Sequence, residues 1–142
     1  MRALLDVNVL IALLDSDHLH HTRALTWLME NIGAGWASCP LTQNGCIRIL
    51  SQQAYPNALP AAAVAARLGE ATATPHHAFW PDEISLLDAG LISWDAVLGN
   101  RQVTDVYLLA LAVQQGGRLV TLDRAVPIHA VRAAKAEHLT VI

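Results

Sequence analysis

The sequence predicts an α/β fold in which a mainly parallel sheet is covered by helices on both faces. Short apolar runs bounded by turn-forming residues alternate with longer stretches whose apolar residues recur at helical spacing. Such alternation is typical of strands joined by helical crossovers, which make neighbouring strands parallel. A length of 142 residues suits one domain with one sizeable core. We therefore expect residues 1–142 to form a single three-layer α/β/α sandwich.

Each predicted element has its own local signal. Predicted strands are short and mainly apolar, and they cover residues 2–6, 36–38, 77–80, 118–122 and 139–142. Predicted helices carry apolar residues on one face and end at capping residues, proline or glycine. They cover residues 8–14, 21–32, 40–52, 60–68, 104–115 and 130–136. Asn8 and Thr104 are the predicted caps of the first and fifth helices.

Composition argues against a disordered or membrane-spanning chain. Hydrophobic residues make up 54% of the chain and charged residues 15%, a balance typical of globular proteins. No apolar run reaches the length of a membrane span and the N-terminus has no leader pattern, so we expect a cytoplasmic protein without a membrane partner. The high apolar share suggests a partner surface, and we expect a homodimer. Cys39 and Cys46 form no CxxC pair, which favours reduced structural thiols.

The charge balance argues against general binding of polyanions. The formal net charge is −3, whereas proteins that bind nucleic acid through their overall charge are usually basic. A nucleic-acid substrate would therefore have to be held by a local basic patch and by a metal ion.

Three aspartates stand where a strand-like run meets a helix-like stretch. Asp6 ends the first predicted strand, Asp123 follows the fourth, and Asp105 lies in the first turn of the helix leading into that fourth strand. In open parallel sheets, ligands bind beyond the carboxyl ends of the strands, where strand order reverses. If the first and fourth strands are neighbours there, all three carboxylates face one crevice. Converging carboxylates without a neutralising partner favour a divalent cation, and hence a metal-dependent enzyme acting on phosphate esters.

Other interpretations of these aspartates stay open at this point. Each one alone fits an ordinary position, because aspartate favours the first turn of helices and the turns after strands. A haloacid-dehalogenase-like phosphatase also has an aspartate after its first strand, but it needs a second acidic residue where this chain has Asn8. A receiver domain needs an acidic pair and a central phosphoacceptor aspartate, and the sequence shows neither pattern clearly.

Four segments, in order, carry a family resemblance. The chain opens with LLDVNVLIALLD, continues with CPLTQNGCIRIL and HAFWPDEISL, and later reads VTDVYLLALAVQQGGRLVTLDRAV. Together these strings resemble the motifs of PIN-domain ribonucleases, in the VapC toxin branch of bacterial toxin–antitoxin pairs. The resemblance covers nearly the whole chain.

The resemblance implies both a mechanism and a partner. It implies an endoribonuclease that cleaves RNA with Mg²⁺ or Mn²⁺ and is held inactive by a cognate VapB-type antitoxin. Carried over by motif, Asp6, Asp105 and Asp123 would be the catalytic, metal-binding residues. Asn8 and Thr121 would be polar neighbours that orient the carboxylates or bound water. Water would be the nucleophile, so no side chain need be covalently modified.

The second motif departs from the family pattern. It usually supplies a glutamate, in a string like TENG, whereas this chain has Gln43 within TQNG. Gln43 can donate or accept hydrogen bonds and could bind a metal through its amide oxygen, but it brings no charge. With three carboxylates, one divalent cation leaves the site at about −1 and two leave it at about +1. We expect a single-metal site or weak binding of a second metal. The alternative is a catalytically weak or inactive PIN-fold module that acts by binding antitoxin and nucleic acid.

Substrate and antitoxin contacts can also be placed on the sequence. Arg124 directly follows Asp123 and is the predicted substrate-binding residue, because an arginine beside the site can contact RNA phosphates. Further candidate phosphate contacts are Arg48, Arg101, Arg132 and Lys135. The resemblance implies a groove for the antitoxin. The residues that would line it are Leu10, Leu13 and Leu14 of the first helix, Ala24 and Leu28 of the second, and the alanine-rich fourth helix.

Overall fold

A computed structural model describes all 142 residues and contains one five-stranded sheet with five α-helices. The strands are β1 (Ala3–Leu5), β2 (Trp36–Ser38), β3 (His77–Phe79), β4 (Arg118–Thr121) and β5 (Leu139–Val141). The helices are α1 (Val7–Leu14), α2 (His21–Asn31), α3 (Pro40–Leu50), α4 (Ala61–Thr72) and α5 (Val103–Gln114). None of these helices combines the length and the apolar character needed to cross a membrane. All five predicted strands are present.

The order of the strands places β1 and β4 side by side at the centre of the sheet. That order is β3-β2-β1-β4-β5, and every pairing is parallel. The chain moves outward from β1 to β3, returns across the sheet to β4, and moves outward again to β5. Strand order therefore reverses between β1 and β4, where Leu5 pairs with Val120. The first and fourth strands are thus the neighbours that a shared crevice requires.

Helices cover both faces of the sheet, and each face has its own core. On one face lie α1 to α4, whose buried side chains pack with Leu5 and Trp36. On the other lies α5, which packs with Leu4 and Leu119. Leu4 and Leu5 belong to different cores because successive strand residues point to opposite faces. Six of the twelve residues of α5 are buried, five of them in a row, which explains its nearly continuous apolar sequence. The expected α/β/α sandwich is confirmed.

The α-helix predicted over residues 130–136 is wrong. The chain forms two 3-10 turns instead, at Ile128–Ala130 and Ala136–His138. Between them Val131 is extended and makes an isolated antiparallel bridge to Ile92. Both side chains are buried in the α5 core, so tertiary packing of a β-branched residue outweighs the helical propensity of the alanines around it.

Two predicted helix caps also differ from the structure. Asp6, not Asn8, caps α1, because the helix begins at Val7 and the Asp6 carboxylate accepts the Val7 N–H. Thr104 lies inside α5, which follows a 3-10 turn at Asn100–Gln102. The first difference matters for the site, because Asn8 is free to make contacts across the sheet.

Both cysteines are free and buried, as expected of structural thiols. Burial raises the pKa of Cys46 to about 12, so its sulfur stays protonated and packs as an apolar group.

The α1–α3 contact is close at Gly45, a residue of the TQNG motif. A Cβ atom at Gly45 would lie 2.7 Å from a methyl carbon of Val7, the residue after Asp6. At Gly69 in α4, the same added atom would meet nothing within 4 Å. These two helical glycines separate the effect of packing from that of helix propensity.

We expect Gly45→Ala to destabilise the protein by about 1–3 kcal/mol, because the stiff side chain of Val7 cannot move aside. Gly69→Ala should stabilise it by about 0.5–1 kcal/mol, because helix interiors favour alanine over glycine. Urea unfolding followed by circular dichroism measures both changes. If both variants shift stability in the same direction, the close α1–α3 contact does not limit packing.

Candidate active site

One hydroxyl group connects the ends of the two central strands. Thr121, the last residue of β4, is fully buried and donates to Asp6 Oδ2 at 2.6 Å. The Thr121 Oγ1 atom also accepts hydrogen bonds from Asn8 Nδ2 at 3.1 Å and from the Asp123 N–H at 3.0 Å. A hydroxyl has one proton and two lone pairs, so Thr121 uses its full capacity here. We call Thr121 with these three partners the Thr121 hub; it fixes two of the three predicted acidic residues.

Asp6 is the most buried of the three aspartates. Its Oδ1 accepts the Val7 N–H at 2.7 Å, and its Oδ2 accepts the Thr121 hydroxyl. Burial raises the pKa of Asp6, the hydrogen bonds from Thr121 and Val7 oppose that rise, and the charge of Asp123 adds to it. Asp6 is therefore held rigidly, but in a place where its charged form is disfavoured.

Asn8 works from the opposite side of the hub. Its Nδ2 donates to Thr121, while its Oδ1 accepts the Leu122 N–H at 3.1 Å. The amide thereby joins the first turn of α1 to the end of β4.

Asp105 brings a third carboxylate to the same region from the first turn of α5. Partial burial raises the pKa of Asp105 to about 6, and the negative charges of Asp6 and Asp123 contribute to that rise. No lysine or arginine neutralises these carboxylates, since the one ion pair of the chain joins His138 to Glu137. The three side chains are thus close enough to repel one another and have no cationic partner of their own.

Asp105 and Asp123 line a cleft of about 440 Å³, and Asp6 is buried behind its surface. The rest of the lining consists of Leu98, Gly99, Asn100, Arg101, Gln102 and Ala125. Gln102 ties the two walls together, because its Oε1 accepts the Leu98 N–H at 2.8 Å and its Nε2 donates to the Ala125 carbonyl at 3.1 Å. The cleft therefore has a fixed shape on both sides.

The acidic cluster is not arranged as a closed metal site. No three histidine, cysteine, aspartate or glutamate side chains of the chain are placed to coordinate one ion together. Mg²⁺ often keeps several water ligands and is held by only one or two carboxylates. Uncompensated carboxylate oxygens beside an open cleft therefore fit a hydrated Mg²⁺ or Mn²⁺. They do not fit zinc, which prefers nitrogen and sulfur ligands in a closed tetrahedron.

Gln43 lies in the first turn of α3 and makes its contact away from the cluster. Its Nε2 donates to the Ser38 Oγ at 3.0 Å, and that oxygen also hydrogen-bonds to His77 Nε2 at 2.8 Å. Gln43 makes no direct hydrogen bond to the three aspartates. Its amide oxygen makes no hydrogen bond within the chain.

Arg124 is exposed next to Asp123 and makes no ion pair. The arginine that lines the cleft itself is Arg101, which is also exposed. The remaining basic candidates are exposed but do not line the cleft; they are Arg48, Arg132 and Lys135.

The sequence did not single out Ser38, His77 or Gln102. Ser38 carries a readable signal, because it is a polar residue at the carboxyl end of a predicted strand, close to where Asp6 stands on the first strand. Gln102 carries none, because its role depends on how the loop before α5 turns.

Comparison with known proteins agrees with the fold and with the family resemblance. The family model of the PIN domain matches residues 3–132. Ribonuclease VapC44 of Mycobacterium tuberculosis is 48% identical over 142 residues, which cover 100% of both chains. Ribonuclease VapC39 of the same organism is 44% identical over 126 residues, 88% of this chain and 91% of the relative.

A solved structure shares the fold. VapBC2 from Rickettsia felis, bound to a DNA fragment from its promoter, superposes with a TM-score of 0.62 over 99% of this chain and 98% of that chain. The sequence identity is 10%, so this likeness concerns the fold alone. The family model and the full-length relatives show that the chain belongs to the PIN-domain family, in its VapC branch.

Proposed function

We propose that this protein is a metal-dependent endoribonuclease toxin, which cleaves RNA with an activated water molecule and is inhibited by a cognate VapB-type antitoxin. The observation that carries the proposal is the cluster of Asp6, Asp105 and Asp123, where strand order reverses and no basic side chain neutralises them. Uncompensated charge of this kind costs stability, and proteins keep it mainly at functional sites. RNA as substrate is supported by the relatives, which are named ribonucleases at up to 48% identity.

Asp105 and Asp123 would hold the cation at the cleft, with Asp6 adding negative charge from behind. When bound, Mg²⁺ or Mn²⁺ neutralises phosphate oxygens and lowers the pKa of water. The residues of the chain supply the geometry: the Thr121 hub fixes Asp6 and Asp123, and Gln102 fixes the cleft walls. Because the pKa of Asp105 is about 6, this carboxyl gives up a proton when a cation binds near or below that pH.

RNA would be held by local positive charge, since the net charge of the chain is −3. Arg124 beside Asp123 and Arg101 at the cleft are exposed and unpaired, as phosphate contacts require.

The antitoxin would be bound away from the cleft. A cavity of about 210 Å³ opens at the far end of α1, and its apolar lining consists of Leu14, Leu50, Tyr55, Leu59 and Val64. Leu14 belongs to the predicted groove, whereas the groove residues Leu10 and Ala24 are buried in the core. We also propose a homodimer, for which the exposed Leu25 and Met29 of α2 offer apolar surface.

A second candidate function is a catalytically weak or inactive PIN-fold module that acts by binding antitoxin and nucleic acid. The observation that favours it is Gln43, which brings no charge and directs its amide nitrogen away from the cluster. The lack of a closed three-ligand arrangement points the same way.

A cleavage assay on an RNA panel separates the two candidates. The wild type should cleave RNA with Mg²⁺ or Mn²⁺ and not in EDTA, and Asp105→Asn should lower the rate by about 100-fold or more. Asp88→Asn, the same change at an exposed aspartate outside the cleft, is the matched control and should keep the wild-type rate. Cleavage that persists in EDTA or in Asp105→Asn would refute the assignment, and RNA binding without cleavage would favour the second candidate.

The Asp105→Asn variant should be more stable than the wild type in the absence of divalent cations. The pKa of Asp105 is raised from 3.8 to about 6 in the folded chain, so its contribution to stability is fully present below about 3.8 and is lost as pH rises through about 6. Asp105→Asn removes this loss and should be about 1 kcal/mol more stable than the wild type at pH 7 in EDTA. Mg²⁺ should stabilise the wild type and not the variant.

Thermal unfolding at pH 4 and pH 7, with and without Mg²⁺, measures these differences. A variant that is less stable than the wild type at pH 7 in EDTA would show that Asp105 has a structural role instead.

A further inference from the structure

A buried hydroxyl links Gln43 to His77. Ser38 is fully buried at the end of β2, and its Oγ lies 3.0 Å from Gln43 Nε2 and 2.8 Å from His77 Nε2. The amide nitrogen can only donate, so the Ser38 oxygen accepts from Gln43 and its own proton needs another acceptor. His77 Nε2 is the other partner of this oxygen. The Ser38 hydroxyl therefore donates to His77.

This arrangement requires a neutral His77 with its lone pair on Nε2. Burial lowers the pKa of His77, a hydrogen bond to the Thr72 backbone opposes the shift, and the charge of Arg2 adds to it. Because Nε2 accepts from Ser38, the one proton of the neutral ring is on Nδ1. Arg2 is the charged side chain that acts on the ring.

The relay, defined as Gln43, Ser38 and His77, takes its polarity from the Gln43 amide nitrogen, which donates to Ser38. If the Gln43 amide were reversed, its oxygen would face Ser38 and take the hydroxyl proton. His77 would then have to donate from Nε2, as the other neutral tautomer or as a cation. Burial and Arg2 both disfavour the cation. In the observed orientation, the amide oxygen is the end left for other partners.

The Gln43 side chain lies at the edge of the sheet where the acidic cluster lies. The register pairs Leu4 with Ala37, which puts Ser38 beside Leu5, the residue before Asp6. Neighbouring strands are about 4.8 Å apart. A side chain bonded to the Ser38 hydroxyl therefore lies roughly one to two strand spacings from Asp6.

We propose that Ser38 and His77 are positioning residues, which direct the Gln43 amide oxygen toward the acidic cluster as a hydrogen-bond acceptor for water held there. The use of this oxygen rests on the proposed function, whereas the polarity of the relay does not. The relay also explains how glutamine suits this position. In Gln43→Glu the carboxylate has no proton to donate, so Ser38 would donate to it and His77 would have to donate from Nε2; the added negative charge then favours the cationic ring.

Nitrogen-15 NMR of the histidine side chains tests the polarity without metal or RNA, with His77→Asn used to identify the signal. At pH 7 the wild-type ring should be neutral and protonated on Nδ1. Gln43→Glu should raise the proton affinity of His77 by about tenfold or more. Gln43→Glu combined with Ser38→Ala should lose most of that rise, because the hydroxyl transmits it. A wild-type ring protonated on Nε2, or a proton affinity that Gln43→Glu leaves unchanged, would overturn the relay.

Mn²⁺ affinity, measured by calorimetric titration with MnCl₂, tests what the relay is for. Ser38→Ala and Gln43→Ala should each weaken binding by about 3- to 10-fold, and the double variant by no more than either, because the residues act through one another. The control is Ser51→Ala, which removes a hydroxyl bonded to the Ile47 carbonyl at the other end of α3 and should bind as the wild type does. Unchanged affinity in Ser38→Ala and Gln43→Ala would overturn the positioning role.

The two measurements fail separately. A wild type that binds no Mn²⁺ while NMR shows the stated polarity overturns the proposed function, and with it the use of the Gln43 oxygen. Circular dichroism verifies that each variant is folded. The Gln43→Glu measurement leaves the buried Ser38 unchanged, so it does not depend on whether Ser38→Ala folds.

Discussion

The hydroxyl of Thr121 is the interaction on which the geometry of the site depends. Backbone pairing brings β1 and β4 together, and the Asp6 N–H extends it by donating to the Val120 carbonyl at 3.0 Å. Pairing alone does not orient the side chains beyond the strand ends. The Thr121 hydroxyl orients the Asp6 carboxylate and the Asn8 amide, and it fixes the backbone N–H of Asp123. Since it has no spare capacity, losing it would leave buried polar groups unpaired, at about 1–3 kcal/mol each.

The rest of the fold makes this arrangement tolerable. Two apolar cores hold the sheet from both faces, and the buried helix α5 brings Asp105 to the same cleft. The three carboxylates there repel one another, and no lysine or arginine neutralises them. Gln43 adds hydrogen-bonding capacity to this edge of the sheet without adding charge. With three negative charges and a neutral fourth side chain, the proposed site is expected to bind a second divalent cation more weakly than the first.

The sequence predicts what depends on local patterns, and it fails where a contact depends on register. The three aspartates could be placed because strand ends, helix starts and the reversal of strand order are readable rules. The three bonds of Thr121 could not, since they require the observed pairing of β1 with β4. The link from Ser38 to His77 likewise needs the parallel pairing of β2 with β3. The false helix at 130–136 has the same origin, because the bridge between Val131 and Ile92 joins distant parts of the chain.

Counting the cations bound to each chain tests most directly whether the Thr121 hub holds the acidic cluster for one divalent ion. Mn²⁺ titration followed by electron paramagnetic resonance gives both the number and the affinity. The wild type and Thr121→Ser, which keeps the hydroxyl, should each bind one Mn²⁺ per chain. Thr121→Val, which keeps the shape and loses the hydroxyl, should bind it about 10-fold or more weakly. A wild type that binds no Mn²⁺, or a Thr121→Val protein that binds it equally well, would contradict the account.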